Sequence, residues 1–147
     1  LCVPLIGIGQ IITLNDVMSL NSKSEFLQYV IENDLIKDSE DEEKIMYGNG
    51  SGMIWAEYYP LVNLPRYSPL IIFTFYIPNE IDEIKKNLLE ECVFDKVIEG
   101  PVYDRLSYKC KDMDSDFRIT YHSVLVNGTK ISGLQLVKHH KDISFDE

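Results

Sequence analysis

Apolar residues recur at helical spacing in two stretches of this chain and gather into β-branched and aromatic runs in several others. Residues 5–13 (LIGIGQIIT) are rich in Ile with glycines at 7 and 9, which predicts a short strand whose backbone runs close to a neighbour. Ser22-Lys23-Ser24-Glu25 has the spacing of a capping box, and Phe26, Leu27, Val30, Ile31 and Leu35 follow at helical intervals, so a helix is predicted there. The polar, acidic stretch of about 36–52 reads as a long loop closed by Gly48, Asn49, Gly50, Ser51 and Gly52. Residues 53–59 (MIWAEYY) and 70–77 (LIIFTFYI) read as strands, and Pro60, Pro65 and Pro69 make the connection between them irregular. The second run is polar only at Thr74, which predicts a central strand covered on both faces.

A second helix is predicted after Pro78, with Asn79 as its cap. Ile81, Ile84, Leu88, Leu89 and Cys92 form one stripe, and Glu80, Asp82, Glu83, Lys85 and Lys86 fall elsewhere. Strands follow at about 94–99, 102–110, 117–126 and 129–138. Asn127-Gly128 supplies the two positive φ angles of a type I′ turn between the last two. That turn sets a register in which Val126 faces Thr129, Val124 faces Ile131, Tyr121 faces Leu134, Ile119 faces Leu136 and His122 lies opposite Gly133, where a bulge would break the pairing. Phe117, Ile119, Tyr121, Leu134 and Leu136 then share an apolar side, while Arg118, Thr120, His122, Gln135 and Val137 share a mixed, partly wet one. The expected fold is α+β, a largely antiparallel sheet with two principal helices packed on it, in one domain over 1–147.

Charge narrows the function more than any motif does. Lys and Arg number 14 against 24 Asp and Glu, a formal charge of -10 with a pI near 4.7, which opposes attraction to phosphate backbones or anionic lipid. Neither nucleic acid nor membrane is therefore an expected partner. No stretch approaches the roughly 20 apolar residues of a spanning helix, and the apolar run Leu1 to Leu14 lacks the basic region and cleavage site of a signal peptide. Cysteines at 2, 92 and 110 are odd in number and lack C-x-x-C spacing, so no disulfide framework is expected and a cytoplasmic location is.

Asp38, Glu40, Asp41, Glu42 and Glu43 crowd five acids into six residues. Such a run is either a solvated loop held extended by its own repulsion or a lure for a basic partner. Asp112, Asp114 and Asp116 form a D-x-D-x-D, but Phe117 and Ser123 stand where a calcium loop needs Gly and Glu. A turn between strands is expected there. His139 and His140 are sequence neighbours that point to opposite faces, at a solvated strand end beside Lys138 and Lys141, and cannot chelate together. Cys92 and Cys110 read as small core residues, and Gly7-Ile8-Gly9 lacks the third glycine of a dinucleotide loop. No catalytic residue, metal site or cofactor is expected. Among the aromatics crowded into 55–76, Tyr67 beside Arg66 is the candidate exposed anchor for an interface.

In size, acidity and residue pattern the chain resembles the immunity proteins of bacterial toxin–immunity systems, including contact-dependent inhibition. The resemblance implies a partner-binding role against a cognate, basic, nuclease-type toxin, with the acids of 38–43 occupying the groove that holds phosphate and Asp112, Asp114 and Asp116 assisting. A small enzyme or ligand-binding domain using the mixed sheet face around Thr120 and His122 is the alternative. A concave pocket with convergent polar groups would favour it. An acidic mimic of nucleic acid is the third.

Overall fold

The computed structural model describes residues 12–60, 70–125 and 132–141. Tyr67, the Asn127-Gly128 turn and all but the last two residues of the predicted 5–13 strand lie outside them. The described residues form helices α1 (Leu14–Ser19), α2 (Lys23–Glu32) and α3 (Pro78–Glu91) and strands β1 (Ile36–Glu40), β2 (Ile45–Gly48), β3 (Ile54–Tyr59), β4 (Leu70–Phe75), β5 (Cys92–Ile98), β6 (Arg105–Cys110), β7 (Phe117–Leu125) and β8 (Ser132–His140). All eight strands join one sheet in the order β1-β2-β3-β4-β8-β7-β6-β5, antiparallel throughout. The fold is α+β, with β4 in the middle of the sheet as expected.

The helices begin and end where local chemistry satisfies their backbone. Six residues are too few to show a period, and α1 is marked instead by a reciprocal cap. Asp16 N–H donates to Thr13 Oγ1 and Thr13 N–H to Asp16 Oδ2, both at 3.1 Å. The Tyr29 hydroxyl donates to the same carboxylate at 2.9 Å and ties α2 to α1. At the start of α2, Ser22 Oγ accepts from Glu25 N–H as predicted, but the Glu25 carboxylate reaches back to Asn21 N–H rather than to Ser22. The helix ends with Asp34 at φ 59, Asp34 N–H bonded to Ile31 O and Leu35 N–H to Val30 O, the two bonds of a Schellman close. In α3 the cap position is Ile77, not Asn79. Pro78 fixes the first helical φ and needs no donor, so the helix starts without a side-chain cap.

The stretch predicted as a 36–52 loop is largely the β1–β2 hairpin. Its composition hid it because β1 is an edge strand with every side chain exposed, while β2 buries only Ile45, Tyr47 and Gly48. Asp41 Oδ1 makes the turn, accepting from Glu43 N–H at 2.7 Å and Lys44 N–H at 2.9 Å. Both sheet edges are interrupted at an aspartate, with register shifts between Lys37 and Ser39 in β1 and between Phe94 and Lys96 in β5. Bulged, charged edges resist pairing with another strand.

The core lies between the helices and one face of the sheet. Phe26 of α2, fully buried, sits against Tyr58, Tyr47 and Phe73 at ring separations of 5.4, 6.2 and 6.4 Å. The β7–β8 register is displaced by two residues from the predicted one: Tyr121 pairs with Leu136, Ile119 with Lys138, His122 with Gln135 and Val124 with Gly133. A shift of two preserves the side-chain period, so Ile119, Tyr121, Leu134 and Leu136 still face the helices. Gly133 makes no bulge here. A Cβ at that position would meet the Tyr76 ring at 2.5 Å and Phe75 O at 2.8 Å, so the glycine is the space Tyr76 occupies. Gly133→Ala should therefore cost about 1–3 kcal/mol in urea denaturation; a neutral result would mean that Tyr76 yields freely.

Two expectations fail in the interior. Lys138 and His139 do not lie at a solvated strand end; both are 1% exposed. The Lys138 ammonium donates to Met18 O and Leu20 O at 2.8 Å and to Asn21 Oδ1 at 2.6 Å, and lies 4.9 Å from the Phe117 ring centroid. Pairing with Ile71 and Ile119 on the helix side of the sheet carries it under the junction of α1 and α2, where helix-end carbonyls need donors. Cys92 and Cys110 are not separate core thiols. They face each other across β5 and β6 and form a disulfide, a pairing that their separation of 18 in sequence does not announce.

Candidate functional site

Antiparallel order delivers both acidic turns to one end of the sheet. The row Glu40, Ile45, Tyr58, Ile71, Lys138, Ile119 and Tyr108 runs across seven strands, and the 41–44 and 111–116 turns both lie beyond it on the same side. Asp38, Glu40, Asp41, Glu42 and Glu43 are all exposed, as are Asp112, Asp114 and Asp116. The two turns are five strand positions apart, about 24 Å along the sheet. That exceeds the ~8 Å screening length at physiological salt, so they act as separate patches rather than one field.

Within each patch some acids hold the structure and others do not. Lys37 Nζ lies 2.6 Å from Glu40 Oε1, and that bond holds the Glu40 carboxyl below its ordinary range. The backbone bonds from Lys44 and Glu43 do the same for Asp41. Lys44 turns toward β3, 3.1 Å from Glu57. In the second turn Asp112 has φ 58, Asp114 Oδ1 accepts from Asp116 N–H at 2.9 Å, and Asp116 meets Lys141 at 3.1 Å. This is the inter-strand turn expected from the sequence. Among the described residues no group of three or more His, Cys, Asp or Glu is placed to hold a metal ion.

The mixed face of the sheet is drier than expected. Thr74, Arg105, Ser107, Thr120, His122, Val137 and His139 are all buried, although the helical core residues lie on the other side. A cavity of about 450 Å³ is lined by Glu57 and Tyr59 of β3, Leu70 and Ile72 of β4, Gln135 and Val137 of β8, Arg105 of β6 and Tyr103 just before it. The lining thus reaches from β3 to the start of β6, four positions along the sheet. Tyr103 folds back to stack on His122 with ring centroids 3.9 Å apart. Burial, with the Arg105 charge beside it, pushes His122 down to about 4, so the imidazole is neutral at pH 7. Ser107 Oγ, Thr120 Oγ1 and His122 Nδ1 have no hydrogen-bond partner among the described residues.

No family model, curated protein or solved structure matches the chain. Sequence reasoning located the acids and named the face of Thr120 and His122. It missed Arg105 and Tyr103, which stand at and before the start of β6 beside Asp104 and Gly100 and carry no motif. No helix among the described residues is long and apolar enough to cross a membrane.

Proposed function

We propose that this protein binds a basic protein partner through the acidic end of its sheet. In the form suggested by its resemblance to immunity proteins, the partner is a nuclease-type toxin whose phosphate-holding groove the 38–43 acids fill. The observation that carries this reading is the exposure of all five acids along β1 and the turn that Asp41 fixes, with Asp112, Asp114 and Asp116 at the same end of the sheet. A rigid, predominantly acidic patch raises encounter rates with a complementary surface and rejects anionic ones. Because both edge strands are bulged, the contact is made by side chains rather than by strand addition.

The test is copurification with a basic toxin domain, such as one encoded immediately upstream, and inhibition of its nuclease activity. Charge reversal at Asp38, Glu42 and Glu43 leaves the turn-forming Asp41 and the Lys37–Glu40 pair intact and should weaken capture. Undiminished capture and inhibition would remove this turn from the interface. A cytoplasmic site of action, expected from unpaired thiols, loses that support with the Cys92–Cys110 cross-link, since such bonds persist chiefly in oxidising compartments.

A second reading, a small-ligand-binding domain, is favoured by one observation. The mixed sheet face carries a concave cavity with convergent polar groups, in the 300–1,000 Å³ range that is ordinary for ligand sites. The two readings use different surfaces and are compatible.

A further inference from the structure

The two edges of the sheet differ in what they leave uncovered. Strand β1 exposes one large apolar side chain, Ile36, among Lys37, Asp38, Ser39 and Glu40. The β5 edge is the reverse. Of the nine large hydrophobic residues exposed among the described residues, six fall between 89 and 103: Leu89, Val93, Phe94, Val97, Val102 and Tyr103. Leu89 stands in the last turn of α3, which runs directly into β5, and Val102 and Tyr103 stand in the β5–β6 connection, so one edge of the molecule carries all six.

The β5 bulge gathers part of this set onto one face. Residues three apart in a regular strand point to opposite faces. Here Phe94 pairs with Tyr108 and Val97 with Leu106, two residues apart on β6, so the extra residue at Asp95 brings Phe94 and Val97 to the same side, that of the helices. Arg118 Nε, 3.5 Å from Asp95 Oδ2, holds the extra residue. The Phe94 ring meets Tyr108 edge-on with centroids 5.7 Å apart, yet half of the residue stays exposed. Charge then singles out what can cover this edge. Between 85 and 111 stand six Lys and Arg against five Asp and Glu, a balance of +1 in a chain of net charge -10. This edge therefore does not draw a strongly charged partner, and it is where a second copy of an acidic chain meets least repulsion.

We propose that the β5 edge is a self-association surface on which two copies of this chain meet about a twofold axis, with the six apolar residues at the centre of the contact. A twofold contact sets each patch against its own copy, which suits a surface that is apolar and charge-balanced. The exposed parts of the six side chains amount to on the order of 500 Å². That is about the apolar share of the roughly 800 Å² that each partner gives to an interface of standard size. The bulge resists joining of the two β5 strands into one sheet, so side chains make the contact. Strand β1 and the 38–43 acids lie at the opposite edge and stay open, so the inference goes beyond the proposed function and does not depend on it.

The experiment is sedimentation equilibrium of the whole chain, disulfide intact, from about 1 μM to about 500 μM. The expected result is a concentration-dependent rise from 17.0 kDa toward twice that mass. The association should hold or strengthen as salt rises, because screening relieves repulsion between acidic molecules and leaves an apolar contact intact. Leu89→Glu combined with Val97→Glu should weaken association at least about tenfold with unchanged far-UV circular dichroism. Val102→Glu, at the most exposed of the six positions, should act in the same direction and serves if the double variant does not fold. Ile31→Glu and Ile36→Glu, at residues 61% and 65% exposed elsewhere on the molecule, should leave association unchanged. A mass of 17.0 kDa at every concentration would overturn the proposal. So would a dimer that salt dissociates, or one that Ile36→Glu weakens and the β5-edge variants do not.

Discussion

Replacing Lys138 by methionine is expected to lower the stability of the fold by about 2–4 kcal/mol. The substitution keeps most of the apolar stem, so packing changes little. What it removes is a cation bonded to Met18 O, Leu20 O and Asn21 Oδ1, leaving acceptors at the end of α1 and in the α1–α2 junction without their donor. Urea denaturation measures the loss, and the predicted signature also includes pH. Burial pushes the Lys138 ammonium down from 10.5 to about 8, against the pull of Glu25 and Asp114. Between those values the unfolded chain holds the proton more tightly than the native one, so the wild type gains stability as pH rises through that window. The methionine variant lacks this gain. The gap between them should therefore widen from pH 8 to about 9.5, below the range where exposed tyrosines ionise. A constant gap would contradict a proton loosened by burial.

Phe26→Ala is expected to cost about 3–5 kcal/mol, since its fully buried ring packs directly on the sheet. Phe26 and Val30 are the buried residues of α2, and Phe26 alone touches rings on three adjacent strands, through Tyr47, Tyr58 and Phe73. Ile31→Ala is the contrast. It lies on the same predicted stripe but is 61% exposed, and the change should stay within about 0.5 kcal/mol. Comparable losses at the two positions would mean that α2 is rotated from the orientation described here.

The contrast between Phe26 and Ile31 also indicates how far the sequence could be read. Periodicity names a stripe, but the width of the buried face is set by what the helix meets. Strands β3, β4, β7 and β8 were legible because apolar and β-branched residues mark them. Strand β1 was not, because an edge strand can satisfy its backbone against β2 while exposing every side chain. The Asn127-Gly128 signal indicated a hairpin and its faces yet missed the register by two, a difference to which a two-residue side-chain period is blind. Lys138 read as surface because burial of a lysine depends on carbonyls supplied from residues 18 and 20, about 120 positions away in the chain. The disulfide and the cavity lining that includes Arg105 are likewise products of long-range pairing. Of the candidate site, the acids were visible as a run, but their delivery to one end of the sheet followed only from strand order.

That end of the sheet is the surface on which the proposed function turns, and the rate of association with a copurified basic partner addresses it most directly. Stopped-flow measurement across salt concentrations should show fast association for the wild type that slows as salt rises. Reversal of Asp38, Glu42 and Glu43 should slow it about tenfold or more at low salt and flatten the salt dependence, with little change in thermal stability. Equal rates and equal salt slopes for the two proteins would contradict a binding role for the acidic turn.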